Sequence, residues 1–249
     1  MDLTLAVFDM AGTTVYDGDA VHRHLALALA EAGIAAGRDE INAAMGIPKP
    51  IAIRTILESR RAAGSHATDD EIDAIHRDFL ETMLAHYRTS PEAHSVEGAE
   101  ETFAILRTAG IKIALDTGFG RPIADVIVER FGWLREGLID AVVTGDDVPR
   151  GRPWPDMIYR AMRLTGIADA RGVAKIGDTP SDLQEGHAAG CGWVVGITGG
   201  SHTAEQLAAY PHTHLIRTVA DLPTLFAQTG TRLSVSFAAA AGGARDGNI

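Results

Sequence analysis

The sequence predicts an α/β protein: a Rossmann-like parallel-sheet core with an inserted helical cap domain. Five short β-rich apolar runs recur along the 249 residues, and amphipathic stretches separate them. That alternation implies a parallel sheet covered by helices on both faces. The rhythm breaks once. Between the first two runs lie about a hundred residues, where one crossover helix would need only a few tens.

Residues 3–8 form the first expected strand, followed by the insertion. Within it Val21, Leu25, Ala28, Leu29 and Ala32 make one apolar stripe at helical spacing, and Ile72, Ile75, Phe79 and Met83 make another. Ser90-Pro91 and Val96-Glu97-Gly98 carry turn chemistry that returns the chain to the core. Further strands are expected at residues 111–115, 141–144, 173–176 and 193–197. The core domain is therefore assigned to residues 1–15 and 91–230, and the helical cap domain to 16–90. Residues 231–249, rich in Ala, Gly and Ser, read as a mobile tail.

The formal charge of −11 opposes nonspecific attraction to nucleic acid or anionic membrane surfaces. No apolar run reaches the roughly 20 residues that span a bilayer, and no signal helix precedes the first strand, so the expected location is cytoplasmic. Cys191 stands alone and is expected to pack rather than pair. The ten histidines show no zinc spacing and are expected mostly at the surface.

In an open parallel sheet, ligands bind beyond the carboxyl ends of the strands. The polar residues gather there: Asp9, Asp116-Thr117-Gly118, Thr144-Gly145-Asp146-Asp147 and Gly177-Asp178. One such Asp is ordinarily a turn former or helix cap; four strand ends together indicate a site. Gly118-Phe119-Gly120 begins a dinucleotide-type pattern, but Ile123 occupies the place of its third glycine, and there is no Walker-type loop.

The segment Phe8-Asp9-Met10-Ala11-Gly12-Thr13-Thr14-Val15 resembles the first motif of the haloacid dehalogenase superfamily, and Gly177-Asp178-Thr179-Pro180-Ser181-Asp182 resembles its last. Thr117 and the Arg152-Pro153 region match the two motifs between them in order and spacing. The Asp-x-Ala-Gly-Thr form, the Arg in the third motif and Met45-Gly46-Ile47-Pro48-Lys49 are similar to the phosphonoacetaldehyde hydrolases and their phosphonatase-like relatives. The resemblance implies a Mg²⁺-dependent hydrolase with Asp9 as nucleophile. It implies a metal shell of Asp9, Asp178 and the carbonyl of Ala11, with Asp182 bound directly or through water. Gly12, Thr13, Met45, Gly46, Thr117 and Gly118 would contact the substrate, and Arg152 would supply charge beside Asp9. Arg150 competes for that last role; its position before Pro153 favours Arg152.

The chemistry is consistent with these residue types. A carboxylate attacks an anionic phosphoryl group only where a hard cation relieves their repulsion. Ala11 stands where phosphatases of the superfamily carry a second Asp that protonates a departing alkoxide, a contribution of roughly 10²–10⁴-fold. A carbon leaving group needs an electron sink instead, and a Lys49 Schiff base with a 2-oxoalkylphosphonate would provide one. Pro50 is expected to be the first residue of a helix, putting Lys49 at the positive end of its dipole, which favours the neutral amine. Ala52 departs from the family, which usually places a His there. It points toward the phosphonatase-like group and a different 2-oxoalkylphosphonate.

Three other readings follow from the same residues. A phosphatase for a small phosphorylated metabolite would use Lys49 only to bind an anionic group. A non-catalytic binding protein of the same fold is opposed by the retained Asp9, Thr117, Arg152, Asp178 and Asp182. Dehalogenation would leave the acidic pair of the last motif without use. The expected partner is a small phosphonate or phosphate, with neither nucleic acid nor membrane. The stripe from Val21 to Ala32 serves either the interior of the cap or a homodimer contact, as cap helices of this superfamily often do.

Overall fold

A computed structural model describes residues 2–228 apart from 17, 44, 46 and 63. The expected tail at 231–249 and Gly46 lie outside the described residues.

The sheet has six strands, all parallel, in the order β3-β2-β1-β4-β5-β6. They are β1 Leu5–Asp9, β2 Lys112–Thr117, β3 Ala141–Thr144, β4 Val173–Gly177, β5 Trp193–Ile197 and β6 His214–Ile216. Five of these were legible as apolar runs. The sixth, His-Leu-Ile, is half-buried at the sheet edge and too short and polar to register as a run. β1 is buried along its whole length because β2 and β4 flank it and helices cover both faces.

Strand order reverses between β1 and β4: β2 and β3 continue to one side, β5 and β6 to the other. At this switch point the crossover connections leave in opposite directions, which opens a crevice at the carboxyl ends of the two central strands. Asp9 ends β1, and Asp178 directly follows β4.

Between β1 and β2 the chain forms α1 Ala20–Glu31, α2 Arg38–Asn42, α3 Lys49–Glu58, α4 Asp69–Thr89 and α5 Ala99–Thr108. Thr68 starts α4 with a capping box, its side chain and that of Glu71 satisfying each other's backbone N–H groups. Ile72, Ile75, Phe79 and Met83 are buried on α4, and Val21, Leu25, Ala28 and Leu29 are buried on α1, which packs against it. The expected stripe thus lies inside the chain, save Ala32, which is exposed beyond the end of α1. The foot of α4 is tied to α6 Arg121–Phe131, where Arg130 donates to the carbonyls of Tyr87 (2.8 Å) and Ser90 (2.7 Å). The remaining helices are α7 Asp156–Thr165, α8 Pro180–Ala189, α9 Ala204–Ala208 and α10 Leu222–Gln228.

Two expectations need correction. α3 begins at Lys49 rather than Pro50, with Pro48 as its cap. Six of the ten histidines are half-buried rather than exposed: among them His24 on α1 and His86 on α4 face each other with ring centroids 5.5 Å apart, and burial lowers the pKa of both. Cys191 is partly buried between two small apolar clusters, and burial pushes its thiol up to about 12. Among the described residues, no helix is long and apolar enough to cross a membrane.

Candidate active site

Asp9, Asp178 and Asp182 each offer an oxygen to one point; these atoms lie within 4.8 Å of one another, and all three residues are buried. β1 and β4 deliver the first two, and α8 delivers Asp182 from its first turn. The α8 start is both a helix cap and part of the site. Thr179 accepts from the Asp182 backbone N–H, while the Asp182 carboxylate accepts from the Thr179 N–H (3.1 Å) and hydroxyl (2.6 Å). One carboxylate oxygen is thereby held, and the other turns toward Asp9 and Arg152.

Asp178 is held from two sides. Thr13 donates to Oδ1 (3.2 Å), and both the backbone N–H and hydroxyl of Ser201 donate to Oδ2 (2.7 Å each). Such close packing leaves no room for side chains on the neighbouring loops. A Cβ at Gly12, which has φ 90°, or at Gly200 would collide with the Asp178 carboxylate.

Arg152 is 4% exposed, and its guanidinium forks among several acids. It donates from Nη1 to Asp9 (2.6 Å), from Nε to Glu185 (3.0 Å), and from Nη2 to the Asp116 carbonyl (3.0 Å) and carboxylate. Lys175, wholly buried on β4, pairs with Asp116, with Asp182 (3.1 Å) and with Glu185 (3.2 Å). Asp182 Oδ1 lies 3.0 Å from Arg152 but off the line of its N–H bonds, so the contact is an ion pair without a well-formed hydrogen bond. Arg150 is excluded from this centre: it pairs with Asp156 (3.0 Å) and stacks over Trp154.

Five buried carboxylates, Asp9, Asp116, Asp178, Asp182 and Glu185, thus face two buried cations in the core. The deficit of positive charge appears in their proton affinities. Burial raises Asp9 to about 8, against the pull of Arg152, and raises Asp178 to about 6, reinforced by Asp182. Burial and the nearby Asp116 raise Glu185 to about 8. For Asp182, burial pushes upward, but Arg152 and Lys175 outweigh it and the carboxyl lies below its ordinary value. An all-oxygen donor set with surplus negative charge suits a hard divalent cation, and Asp9, Asp178 and Asp182 are the residues that could hold it.

A cavity of about 740 Å³ opens over this centre. Its core side includes Asp9, Ala11, Gly12, Thr13, Thr117, Gly118 and Arg152; its other side includes Met45 and Lys49 from the insertion. Every expected site residue within the described set therefore lies at one locus, either in the cavity wall or, for Asp178 and Asp182, directly beneath it. Lys49 is 5% exposed, and its ammonium lies 3.4 Å from the Ile47 carbonyl. Pro48 seats the start of α3 on the core loops, within van der Waals reach of a Cβ built on Gly145 (3.8 Å).

One expectation about the loops changes. The third strand end does not reach the cavity. Asp147 caps Thr144 (2.8 Å) and pairs with Arg121, and Asp146 accepts from the Arg121 N–H (2.7 Å), so these acids organise the turn. Sequence reasoning missed Lys175 and Glu185 altogether. A Lys inside an otherwise apolar strand and a Glu three residues after Asp182 on α8 were the available signals.

A family model of haloacid dehalogenase-like hydrolases matches residues 3–190. A phosphonoacetaldehyde hydrolase of Bordetella pertussis is 32% identical over 93% of this chain and 94% of its own length. One from Bacillus cereus is 30% identical over 94% and 92%. The crystal structure of a phosphonoacetaldehyde hydrolase-like protein from Oleispira antarctica superposes with a TM-score of 0.81, at 23% identity, covering 94% of each chain. With its acids at the switch point of a parallel sheet and a family match across most of its length, the chain belongs to the haloacid dehalogenase-like hydrolases.

Proposed function

We propose that this hydrolase cleaves the C–P bond of phosphonoacetaldehyde or a related 2-oxoalkylphosphonate. The observation that carries the reading is the presence of Lys49, buried, in the same cavity wall as Asp9, where Ala11 offers no acid to a departing alkoxide. The relatives named for phosphonoacetaldehyde hydrolysis support it.

In this reading residues 16–90 act as a cap that brings Lys49 over the core. The Lys49 amine condenses with the substrate carbonyl, releasing water and forming an iminium. Asp9 attacks phosphorus, and the C–P bonding pair moves into the iminium to give an enamine. Water then attacks the aspartyl-phosphate and releases phosphate. Protonation of the enamine carbon and hydrolysis of the imine free the aldehyde or ketone and restore Lys49. A bound Mg²⁺, held by Asp9, Asp178, Asp182 and the Ala11 carbonyl, would relieve the repulsion between carboxylate and phosphoryl group. Arg152 keeps its charge because the surrounding carboxylates outweigh the cost of burial. It orients Asp9 for attack, and Gly12, Thr13, Thr117 and Gly118 border the space for the phosphoryl oxygens.

The test is phosphate release from phosphonoacetaldehyde with Mg²⁺, coupled to borohydride trapping and mass mapping in wild type and Lys49→Arg. Release and an adduct at Lys49, both absent in the variant, are expected. Hydrolysis of simple phosphate esters without any trapped adduct would overturn the reading in favour of a phosphatase.

A further inference from the structure

Asp9 and Lys49 come from different parts of the chain, the first from the end of β1 and the second from the start of α3. Helix α3 is bound to the rest of the insertion by its buried Ala52, Ile53, Ile56 and Leu57 and by packing on α4. It meets the core through Pro48. The surface that receives Pro48 is one loop, residues 145–155 between β3 and α7, which turns two glycines toward it, Gly145 and Gly151.

The fit differs at the two. A Cβ on Gly145 would lie 3.8 Å from Pro48 Cγ, an ordinary van der Waals contact. A Cβ on Gly151 would lie 3.0 Å from Cγ and 3.6 Å from Cδ, the first distance being shorter than two carbons adopt at rest. Among the described residues, chain neighbours aside, Pro48 is the one that either Cβ would meet within 4 Å. Neither glycine has a positive φ, so at Gly151 the nearness of Pro48, and not the backbone conformation, excludes a side chain.

The loop beneath this contact is fixed along its length. Thr144 donates its N–H to Asp147 (2.8 Å), Arg121 donates its N–H to Asp146 (2.7 Å), Trp154 donates its N–H to the Gly151 carbonyl (3.1 Å), and Arg150 pairs with Asp156 (3.0 Å). Arg152, the next residue after Gly151, is tied to Asp9, Asp116 and Glu185. Two adjacent residues of one loop therefore serve both halves of the site: Arg152 holds Asp9, and Gly151 receives the residue that precedes Lys49.

We propose that Gly151 is a positioning residue, forming with Gly145 a seat for Pro48 that fixes where Lys49 stands relative to Asp9. The consequence for catalysis rests on the C–P cleavage reading; the seat itself does not. A methyl group at 151 must part from Pro48 by about 0.5–1 Å to reach the usual carbon–carbon separation of about 3.5–4.0 Å. The proline ring cannot swing aside, because it is closed onto its own backbone. The loop cannot retreat without pulling Arg152 from its buried acids. The insertion yields instead and carries Lys49 with it, and a misplacement of about 1 Å costs on the order of 10²-fold in rate.

The experiment follows the rate of the borohydride-trapped adduct at Lys49, with kcat/KM for phosphonoacetaldehyde beside it. Gly151→Ala should lower both by about 10–100-fold. Gly145→Ala, whose methyl group meets Pro48 at an ordinary distance, should stay within about threefold of wild type. Pro48→Ala removes the ring atoms that the new methyl group strikes, so in that background Gly151→Ala should cost no more than about threefold. A second readout needs no turnover: Lys49 is 5% exposed, and Gly151→Val, which denies Pro48 its seat, should raise acetylation of Lys49 by acetic anhydride at least about threefold. A Gly151→Ala enzyme within about threefold of wild type overturns the seat. A loss that Pro48→Ala does not relieve also overturns it, since the damage then lies in Arg152 and not in the contact. If wild type neither cleaves the phosphonate nor forms an adduct, the C–P reading fails and the seat is judged by acetylation, where unchanged labelling in Gly151→Val overturns it.

Discussion

Replacing Lys175 by methionine keeps the length of the side chain and removes a charge that the sheet interior depends on. Its ammonium is wholly buried and pairs with Asp116, Asp182 and Glu185, so the variant leaves these acids with Arg152 as their remaining buried cation. Removing one partner of a buried ion pair costs about 3–5 kcal/mol, because the charge left behind has lost its solvation without compensation. A chain of this size loses roughly 2–4 °C of Tm per kcal/mol, so Lys175→Met should melt about 6–20 °C lower. The loss should be smaller at pH 6 than at pH 9, since Glu185, already raised to about 8, takes up a proton and no longer needs a counter-charge. Adding Glu185→Gln should recover part of the loss, with a coupling of about 0.5–3 kcal/mol in a double-mutant cycle. Thermal and urea unfolding measure all of this. A Tm within about 2 °C of wild type, or strictly additive effects, would refute the idea that Lys175 balances the network.

Asp9→Asn should reduce phosphate release by at least roughly 10⁴-fold, as expected for loss of a nucleophile. The same variant should raise the Tm of metal-free protein, because it deletes a carboxylate that burial holds at about 8; steady-state turnover and a melting curve check the two signs. Metal-free protein should lose stability as pH rises from about 4 to 8. Asp9, Asp178 and Glu185 all have folded-state values above their ordinary ones, so through them the folded chain binds more protons across that window; the lowered carboxyls, Asp182 and Asp140 among them, oppose this at the acid end, and the lowered histidines His24, His76, His86 and His202 oppose it through the ordinary histidine range, so the fall is steepest near pH 8. Mg²⁺ should flatten that slope by binding the deprotonated carboxylates, and pH-dependent melting with and without EDTA would expose a failure. Ala11→Asp should raise turnover of phosphate esters, by up to roughly 10²-fold, and should not raise phosphonate cleavage, because only an alkoxide needs the added acid. Equal effects on both substrate classes would count against the assigned role of Ala11.

The buried strands, the helical insertion and the acids at the strand ends were legible in the sequence because each is written locally. Near-continuous apolar runs mark strands covered on both faces, and the capping box of Thr179 and Asp182 in Asp-Thr-Pro-Ser-Asp is written within four residues. The order and spacing of Asp9, Thr117, Arg152 and Asp178 carried the family resemblance. The roles of Asp116, Lys175 and Glu185 were not legible, since a charged residue in a strand or on a helix face declares its burial only when its partners arrive from elsewhere in the chain. Lys175 and Asp116 lie on strands separated by β1, and Arg152 reaches Asp116 from a loop. Local pattern alone determined that this is an α/β chain with an insertion, and the motif resemblance added that it is hydrolase-like. Tertiary structure decided that strand order reverses between β1 and β4, which sets Asp9 beside Asp178. It also decided that α2 and α3 pack so as to bring Arg38, Asn42 and Lys49 to the wall of one cavity. Electrostatic balance among buried groups depends on distances across the fold, and no spacing along the chain encodes those distances.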